Sequence, residues 1–266
     1  MPTPIDWTRP WYASITAVAE TVIGHADQLA ALNRRSASLS LTNHRGLPVS
    51  FVDQTALPEG MAYEAFISAT GKVPTRNILH DFFNALVWLS FPRIKRQLNA
   101  LQAAQIARTG IGKSRGSARD AATIFDENAA LLVVRDNVQG KALVEALRNH
   151  QWHSVFIDQR SAFSQLAEPW LFGHALMEKL AAPYKGITAH TWVVMAPGDF
   201  FTMPHHARRE WLDLKVANEL AECALNGLST NCFTPLPVLG IPGWWQSQDQ
   251  RFYEDATVFR LKRGGE

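Results

Sequence analysis

A histidine and a glutamate stand four residues apart in the apolar stretch WLFGHALMEKL (170–180), which we expect to form a buried helix. His174 and Glu178 would share one face of that helix, because four residues make about one helical turn. A buried carboxylate without a partner is costly, so Glu178 needs a donor or a cation beside it. The pair has three interpretations: a structural contact with each other or with an arginine, a metal or acid–base site, and simple exposure.

His80 and Asp81 raise the same question at the start of the clearest predicted helix of the chain. Asp81 could cap or complement the N-terminus of that helix, while His80 lies in the preceding loop. Alternatively, both side chains project from the start of the helix into a cleft, where they would be available for chemistry.

Two further candidates lie next to predicted strands. Asp126 and Glu127 precede a buried strand on a segment that we expect to be extended, so only one of the two carboxylates can face a given site. The alternative is a turn that Asp126 initiates with Asn128. His190 stands immediately before a predicted strand at 191–196, and strand ends often carry catalytic groups in α/β folds.

Histidine and carboxylate side chains that meet in one cavity support two kinds of chemistry. Imidazole nitrogen and carboxylate oxygen ligands suit a divalent metal such as zinc or manganese, and without a metal they serve as general acids and bases. The predicted metal ligands are His80, His174, Glu178 and His190. The predicted catalytic residues are His80, Asp81, Asp126 and Glu178.

The elements that must position these groups alternate between helices and short strands. Apolar residues recur with helical spacing over 79–101, and Pro92 must kink this helix or begin a second one, because proline lacks the amide donor. Further helices are predicted within 11–33, over 138–149 and over 211–225, and strands over 47–54, 130–134, 153–158 and 191–196. The predicted fold class is α/β or α+β, with a single mixed domain over residues 1–266 and several helices around a short central sheet.

Two segments are expected to lack regular structure. The stretch RTGIGKSRGSARD (108–120) is rich in glycine, serine and basic residues, which is typical of a loop that could steer an anionic substrate. The segment 234–260 is rich in proline, glycine and aromatic residues, and we expect it to wrap around the body of the protein as an irregular, well-packed segment.

The composition narrows the class of protein. Hydrophobic residues make up 47% of the chain and charged residues 19%, which is enough apolar material for a core and too little charge for disorder. The net charge of +2 disfavours a general nucleic-acid-binding protein, although the basic region 93–119 keeps that role as an alternative, with Lys95, Arg96, Lys113 and Arg115 as contacts. The absence of a signal-peptide pattern, of a membrane-spanning apolar run and of a disulfide framework predicts a cytoplasmic protein.

Four segments are distinctive in combination, namely 73–101, 125–134, 171–190 and 235–260. Together they resemble the bacterial family catalogued as domain of unknown function 3025. The resemblance implies a single bacterial, cytoplasmic domain, and it implies no particular activity.

The hypothesis that these patterns favour is a soluble enzyme, and among enzymes a metal-assisted hydrolase that acts on an anionic small molecule. One alternative is a binding or scaffold protein in which the His–Glu pairs are structural. The other is the nucleic-acid-associated protein described above. No membrane partner is expected.

Overall fold

The computed structural model describes residues 5–109, 117–226 and 228–262. The strands are β1 (Ser50–Asp53), β2 (Lys72–Thr75), β3 (Ala129–Arg135), β4 (Ala167–Leu171), β5 (Thr188–Ala196) and β6 (Thr234–Pro237). The α-helices are α1 (Thr16–Ala19), α2 (Gln28–Ser38), α3 (Tyr63–Thr70), α4 (Leu79–Ser90), α5 (Pro92–Thr109), α6 (Ser117–Asn128), α7 (Val138–Arg148), α8 (Arg160–Leu166), α9 (His174–Lys179), α10 (His205–Asn226) and α11 (Gln250–Tyr253).

A four-stranded sheet in the order β4-β3-β5-β6 organises the fold. The central strands β3 and β5 are parallel, and each pairs with an antiparallel neighbour on its outer side. Every residue of β3 from Ala129 to Val134 is buried, because both faces of a central strand are covered when helices pack on the sheet. A separate parallel pair, β1 with β2, lies before α4 in the chain. The mixed α/β class is therefore confirmed.

The buried apolar residues form one continuous cluster that extends in sequence from Trp11 to Phe259.

The long predicted helix divides at Pro92, as the sequence allowed. Helix α4 ends at Ser90 and α5 begins at Pro92, where the missing amide is tolerated. The carboxylate of Asp213 in α10 accepts hydrogen bonds from the backbone N–H groups of Arg93 and Ile94, at 3.1 and 2.9 Å, and so caps α5.

The predicted strand over 153–158 is wrong. Residues Ser154–Asp158 form a π-helical turn. Trp152, in the helical residues just before it, stacks in parallel on Phe156 of the turn, with ring centroids 6.0 Å apart. A four-residue separation brings these rings together only in a helix, and the apolar run alone does not distinguish a buried strand from a buried helical turn. The antiparallel neighbour of β3 is instead β4, which takes Trp170 and Leu171 out of the helix predicted there.

The C-terminal segment is packed and mostly irregular, with α11 and with Phe252, Tyr253 and Phe259 buried. Its first residues form β6, which extends the sheet. Within the predicted loop at 108–120, residues 110–116 lie outside the described part of the chain, and Ser117 already begins α6. Across the residues that are described, no helix combines the length and the apolar character that crossing a membrane requires.

Candidate active site

Four helices bring the predicted polar groups together. His80 lies in the first turn of α4, Asp126 in the last turn of α6, and His174 begins α9, which also carries Glu178. The start of α5 contributes Lys95, which the sequence analysis did not place here. Residues separated by about a hundred positions in the chain thus meet at one place.

Gly173 explains how α9 can start so close to the end of α6. A Cβ atom at this position would lie 2.5 Å from the carbonyl oxygen of Glu127 and 2.6 Å from the amide nitrogens of Asn128 and Ala129. Only glycine permits this approach of one backbone to another. The approach places the His174 ring directly against the carbonyl of Asp126.

His80 contacts both residues of the His174–Glu178 pair. Its Nδ1 atom lies 2.8 Å from Oε2 of Glu178, and its Nε2 atom lies 3.1 Å from Nε2 of His174. The two imidazole rings meet edge to face at 80°. His174 and Glu178 therefore share a helical face, as predicted, but they interact through His80 rather than directly.

The hydrogen bonds restrict where protons can sit. Nδ1 of His174 lies 2.9 Å from the backbone oxygen of Asp126, and since a carbonyl only accepts, Nδ1 must carry the proton. Burial lowers the pKa of His174 to about 4, so near neutral pH its Nε2 holds a lone pair. That lone pair faces Nε2 of His80, and a proton on His80 or a cation between the rings would satisfy the contact.

A second, largely buried network lies beside the histidines. The Lys95 ammonium donates to Oδ1 of Asp126 at 2.6 Å and to Oδ1 of Asn84 at 2.8 Å, and the amide of Asn84 donates to the hydroxyl of Tyr63 at 2.9 Å. Burial alone would raise the pKa of Asp126, but the charge of Lys95 and its hydrogen bond hold that pKa below its ordinary value. The expected extended segment or turn at Asp126 is wrong, because this residue completes α6.

Asp81 binds an arginine. Its carboxylate accepts two hydrogen bonds from the Arg76 guanidinium, each 2.9 Å long, and one from the Arg76 backbone amide at 2.7 Å. These bonds outweigh the effect of burial and lower the pKa of Asp81. Asp81 is therefore ionised and fixes a positive charge beside His80. It makes no capping bond to the helix.

His190 does not join the cluster. It lies within β5 rather than before a strand, and its exposed ring meets Phe233, with centroids 6.2 Å apart. Alternation along the strand buries Ala189 and Thr191 and turns His190 outward. Within the described ranges, no hydrogen bond or ion pair connects it to the other predicted ligands.

A cavity of about 410 Å³, which we call the site cavity, opens beside these groups. Its lining includes His80, His174 and Asp126, together with Glu64, Arg76 and Arg119. A larger cavity of about 640 Å³ near Trp7 and His25 contains no comparable cluster of hydrogen-bonded titratable groups, so chemistry rather than volume identifies the site.

The predicted four-ligand metal set is not assembled. In the described part of the chain, no group of three or more histidine, cysteine, aspartate or glutamate side chains is arranged to hold a metal ion. Glu178 contacts Nδ1 of His80 and is positioned to orient that ring, not to bind the same ion, and His190 is elsewhere. His80 and His174 remain as a two-nitrogen pair.

Lys95 is the residue that sequence reasoning missed. We assigned it to a basic outer face and a nucleic-acid contact, but its side chain is only 3% exposed. Its spacing from buried Phe91 and Leu98 places it on the apolar stripe of the helix, and that signal was present in the sequence. Of the three other basic contacts predicted in this region, Arg96 is exposed, and Lys113 and Arg115 lie outside the described residues.

Comparison with known proteins assigns a family. No curated protein and no solved structure shows a significant match to the chain. A family model described as protein of unknown function, DUF3025, matches residues 49–263, which is most of the chain and includes every residue of the site cavity. The protein belongs to the DUF3025 family.

Proposed function

We propose that the protein is a hydrolytic enzyme in which His80 and His174 hold a divalent cation beside the site cavity. The observation that carries the proposal is the convergence of two Nε2 atoms at 3.1 Å while both Nδ1 atoms are occupied. An ion between the rings would explain why neither Nε2 has any other partner among the described residues.

The contacts of the Nδ1 atoms support this proposal. A histidine that binds a metal through one nitrogen commonly donates its other N–H to a carboxylate or a backbone carbonyl, which fixes the tautomer and the ring. Glu178 serves His80 in this way, and the Asp126 carbonyl serves His174. With metal–nitrogen bonds of about 2.1 Å, nitrogens 3.1 Å apart subtend about 95° at the ion, between octahedral and tetrahedral values.

The remaining coordination positions would belong to water and substrate. A bound cation would supply a water of lowered pKa as the nucleophile. Arg76, which Asp81 holds at the cavity wall, and Arg119 would attract an anionic group of the substrate. Two protein ligands hold an ion less tightly than three, so we expect the substrate to contribute to metal binding.

Calorimetric titration of chelator-treated protein with Zn²⁺ and Mn²⁺ tests the proposal. We expect one saturable site in the wild type, its loss in His80→Ala and in His174→Ala, and its retention in His190→Ala, the matched control. The wild type and His190→Ala should hydrolyse p-nitrophenyl phosphate or bis-p-nitrophenyl phosphate, and His80→Ala and His174→Ala should not. Well-folded wild-type protein that binds neither ion would refute the metal site.

That negative result would favour a second candidate, an acid–base enzyme without a metal. The same geometry supports it, because His80 can carry both protons and donate one to Glu178 and one to the lone pair of His174. His80, whose side chain is 33% exposed, would then exchange its proton with a substrate in the site cavity. Activity that survives chelation and is lost in His80→Ala would establish this candidate.

We also place the enzyme in the bacterial cytoplasm. Cys223 and Cys232 are both free thiols, which supports a reducing compartment. Fractionation of cells that express the full chain would test this location.

A further inference from the structure

A second cavity of about 390 Å³ lies where α5 and α10 begin, on the side facing residues 39–42. Three arginines, Arg93, Arg96 and Arg209, contribute to its lining, and we call it the arginine pocket. It shares no lining residue with the site cavity, although α4 and α5 contribute to both.

Positive charge exceeds negative charge in the arginine pocket. Two acids, Glu210 and Asp213, line it beside the three arginines. Asp213 is committed to capping α5, and Arg93 approaches its carboxylate only to 3.6 Å. Burial, with the charge of nearby Arg35, lowers the pKa of Arg209, while the adjacent Glu210 opposes this effect. Within the described residues, Arg96 and Arg209 make no hydrogen bond or ion pair with an acid.

The donors left over at this place belong to the arginines. Guanidinium N–H groups only donate, and those of Arg96 and Arg209 have no carboxylate partner among the described residues, so acceptor oxygens of a ligand can satisfy them. The Ser90 hydroxyl also has no partner there, but protein atoms enclose it.

We propose that the arginine pocket binds the phosphate group of a small phosphomonoester. Guanidinium groups form paired hydrogen bonds with the oxygens of a phosphate, and several arginines can share one dianion, whereas a single carboxylate offers only two oxygens. The volume of the arginine pocket, about 390 Å³, exceeds that of a phosphate ion and leaves room for an organic group. This binding does not depend on the cation proposed for His80 and His174.

Calorimetric titration of the full chain at constant ionic strength tests this proposal with glycerol 3-phosphate and glucose 6-phosphate as probes. Glycerol and glucose are the unphosphorylated controls. We expect saturable binding of at least one phosphorylated probe and none of the controls. The double variant Arg96→Gln/Arg209→Gln should weaken that binding by ~10-fold or more, since it removes two charge-assisted contacts.

Two matched variants keep the result interpretable. Arg251→Gln makes the same charge change at an exposed arginine of α11 and should leave the affinity unchanged. The binding that depends on Arg96 and Arg209 should persist in His80→Ala, which separates this pocket from the proposed active site. Equal weakening in Arg251→Gln, or no saturable binding of either probe, would overturn the proposal. So would salt-sensitive binding of an oligonucleotide that neither probe displaces.

Discussion

Two polar clusters meet beside α4, and they differ in how completely their hydrogen-bonding capacity is used. The closed cluster consists of Lys95, Asp126, Asn84 and Tyr63, and the open cluster consists of His80, His174 and Glu178. Side chains of the ion pair in the closed cluster are 3% and 11% exposed, whereas those of the pair in the open cluster are 33% and 38% exposed. His174 joins the two: its Nδ1 atom lies 2.9 Å from the Asp126 carbonyl oxygen and 3.8 Å from Oδ2 of the Asp126 carboxylate.

This difference separates the roles of the clusters. The closed cluster pairs its charges internally, so removal of one partner would leave a buried charge without compensation and destabilise the fold. Residues of both clusters line the site cavity, but the open cluster holds two imidazole nitrogens whose contact requires a proton or an ion. We expect chemistry at the cluster whose hydrogen-bonding atoms lack a partner. Substitutions in the closed cluster should therefore change stability, and those in the open cluster should change activity.

The largest effect is expected from Lys95→Met, which removes the charge at nearly constant volume. Asp126 would remain buried without its cation, so the free energy of unfolding should fall by about 3–5 kcal/mol. Denaturant unfolding measures this. The control is Lys141→Met in the exposed ion pair with Asp136, where we expect a change below about 1 kcal/mol. Equal losses in the two variants would show that the closed cluster has no special structural role.

Acid should destabilise the protein through His174. The pKa of His174 falls from 6.5 in the unfolded chain to about 4 in the fold, so below about pH 6.5 the unfolded state binds a proton that the folded state does not. Stability is therefore lost as the pH decreases from about 6.5 to about 4, by at most about 3 kcal/mol.

Unfolding curves of metal-free wild type and His174→Gln between pH 4 and pH 8 isolate this contribution. Asp213 acts in the opposite sense, because burial raises its pKa to about 6, but it is present in both proteins and cancels in their difference. The stability of the wild type should fall more steeply with acid. If the free energy of unfolding of the two proteins changed with pH in the same way, the buried, neutral state of His174 would be contradicted.

Gly173→Ala should disturb the contact between the clusters. The new methyl group would overlap backbone atoms at 127–129, and relief of that overlap should cost about 1–3 kcal/mol and displace His174. Metal affinity should fall together with stability. Gly186→Ala is the control, because its nearest neighbour would lie at 3.5 Å, an ordinary contact. Unchanged metal affinity in a destabilised Gly173→Ala protein would show that the close contact between the Gly173 backbone and residues 127–129 does not position His174.

The smallest effect on stability is expected from His80→Ala. Its ion pair with Glu178 is partly exposed, so the free energy of unfolding should change by no more than about 1 kcal/mol. Activity and metal binding should nevertheless be lost. Glu178→Gln should keep both metal ligands and weaken metal binding by ~10- to 100-fold, as for other residues that orient a ligand. A His80→Ala variant that loses stability and retains activity would reassign the open cluster to architecture.

Much of the fold was accessible from sequence because local patterns were strong. The apolar spacing after Leu79, the break at Pro92 and the buried strand before Arg135 each depend on neighbouring residues. The error over 153–158 arose where a short apolar run fits a strand and a helical turn equally well. Strand β6 was missed because its pairing with β5 is a long-range contact.

The site was accessible only in part. Residue type and spacing identified His80, His174 and Glu178, but the spacing within α9 gave no information that His80 bridges them. His190 was included because strand ends often carry function, and the actual strand extends past it. Lys95 falls among basic residues that predict a solvated helix face, but here it is buried and Asp126 compensates its charge.

X-ray absorption spectroscopy of the metal-loaded protein tests the central claim most directly. We predict a spectrum with two imidazole nitrogens at about 2.0–2.1 Å, oxygen ligands in the remaining positions and no sulfur. His190→Ala should give the same spectrum. A bound ion without imidazole ligands, or an imidazole signal that persists in the His80→Ala/His174→Ala double variant, would contradict the account.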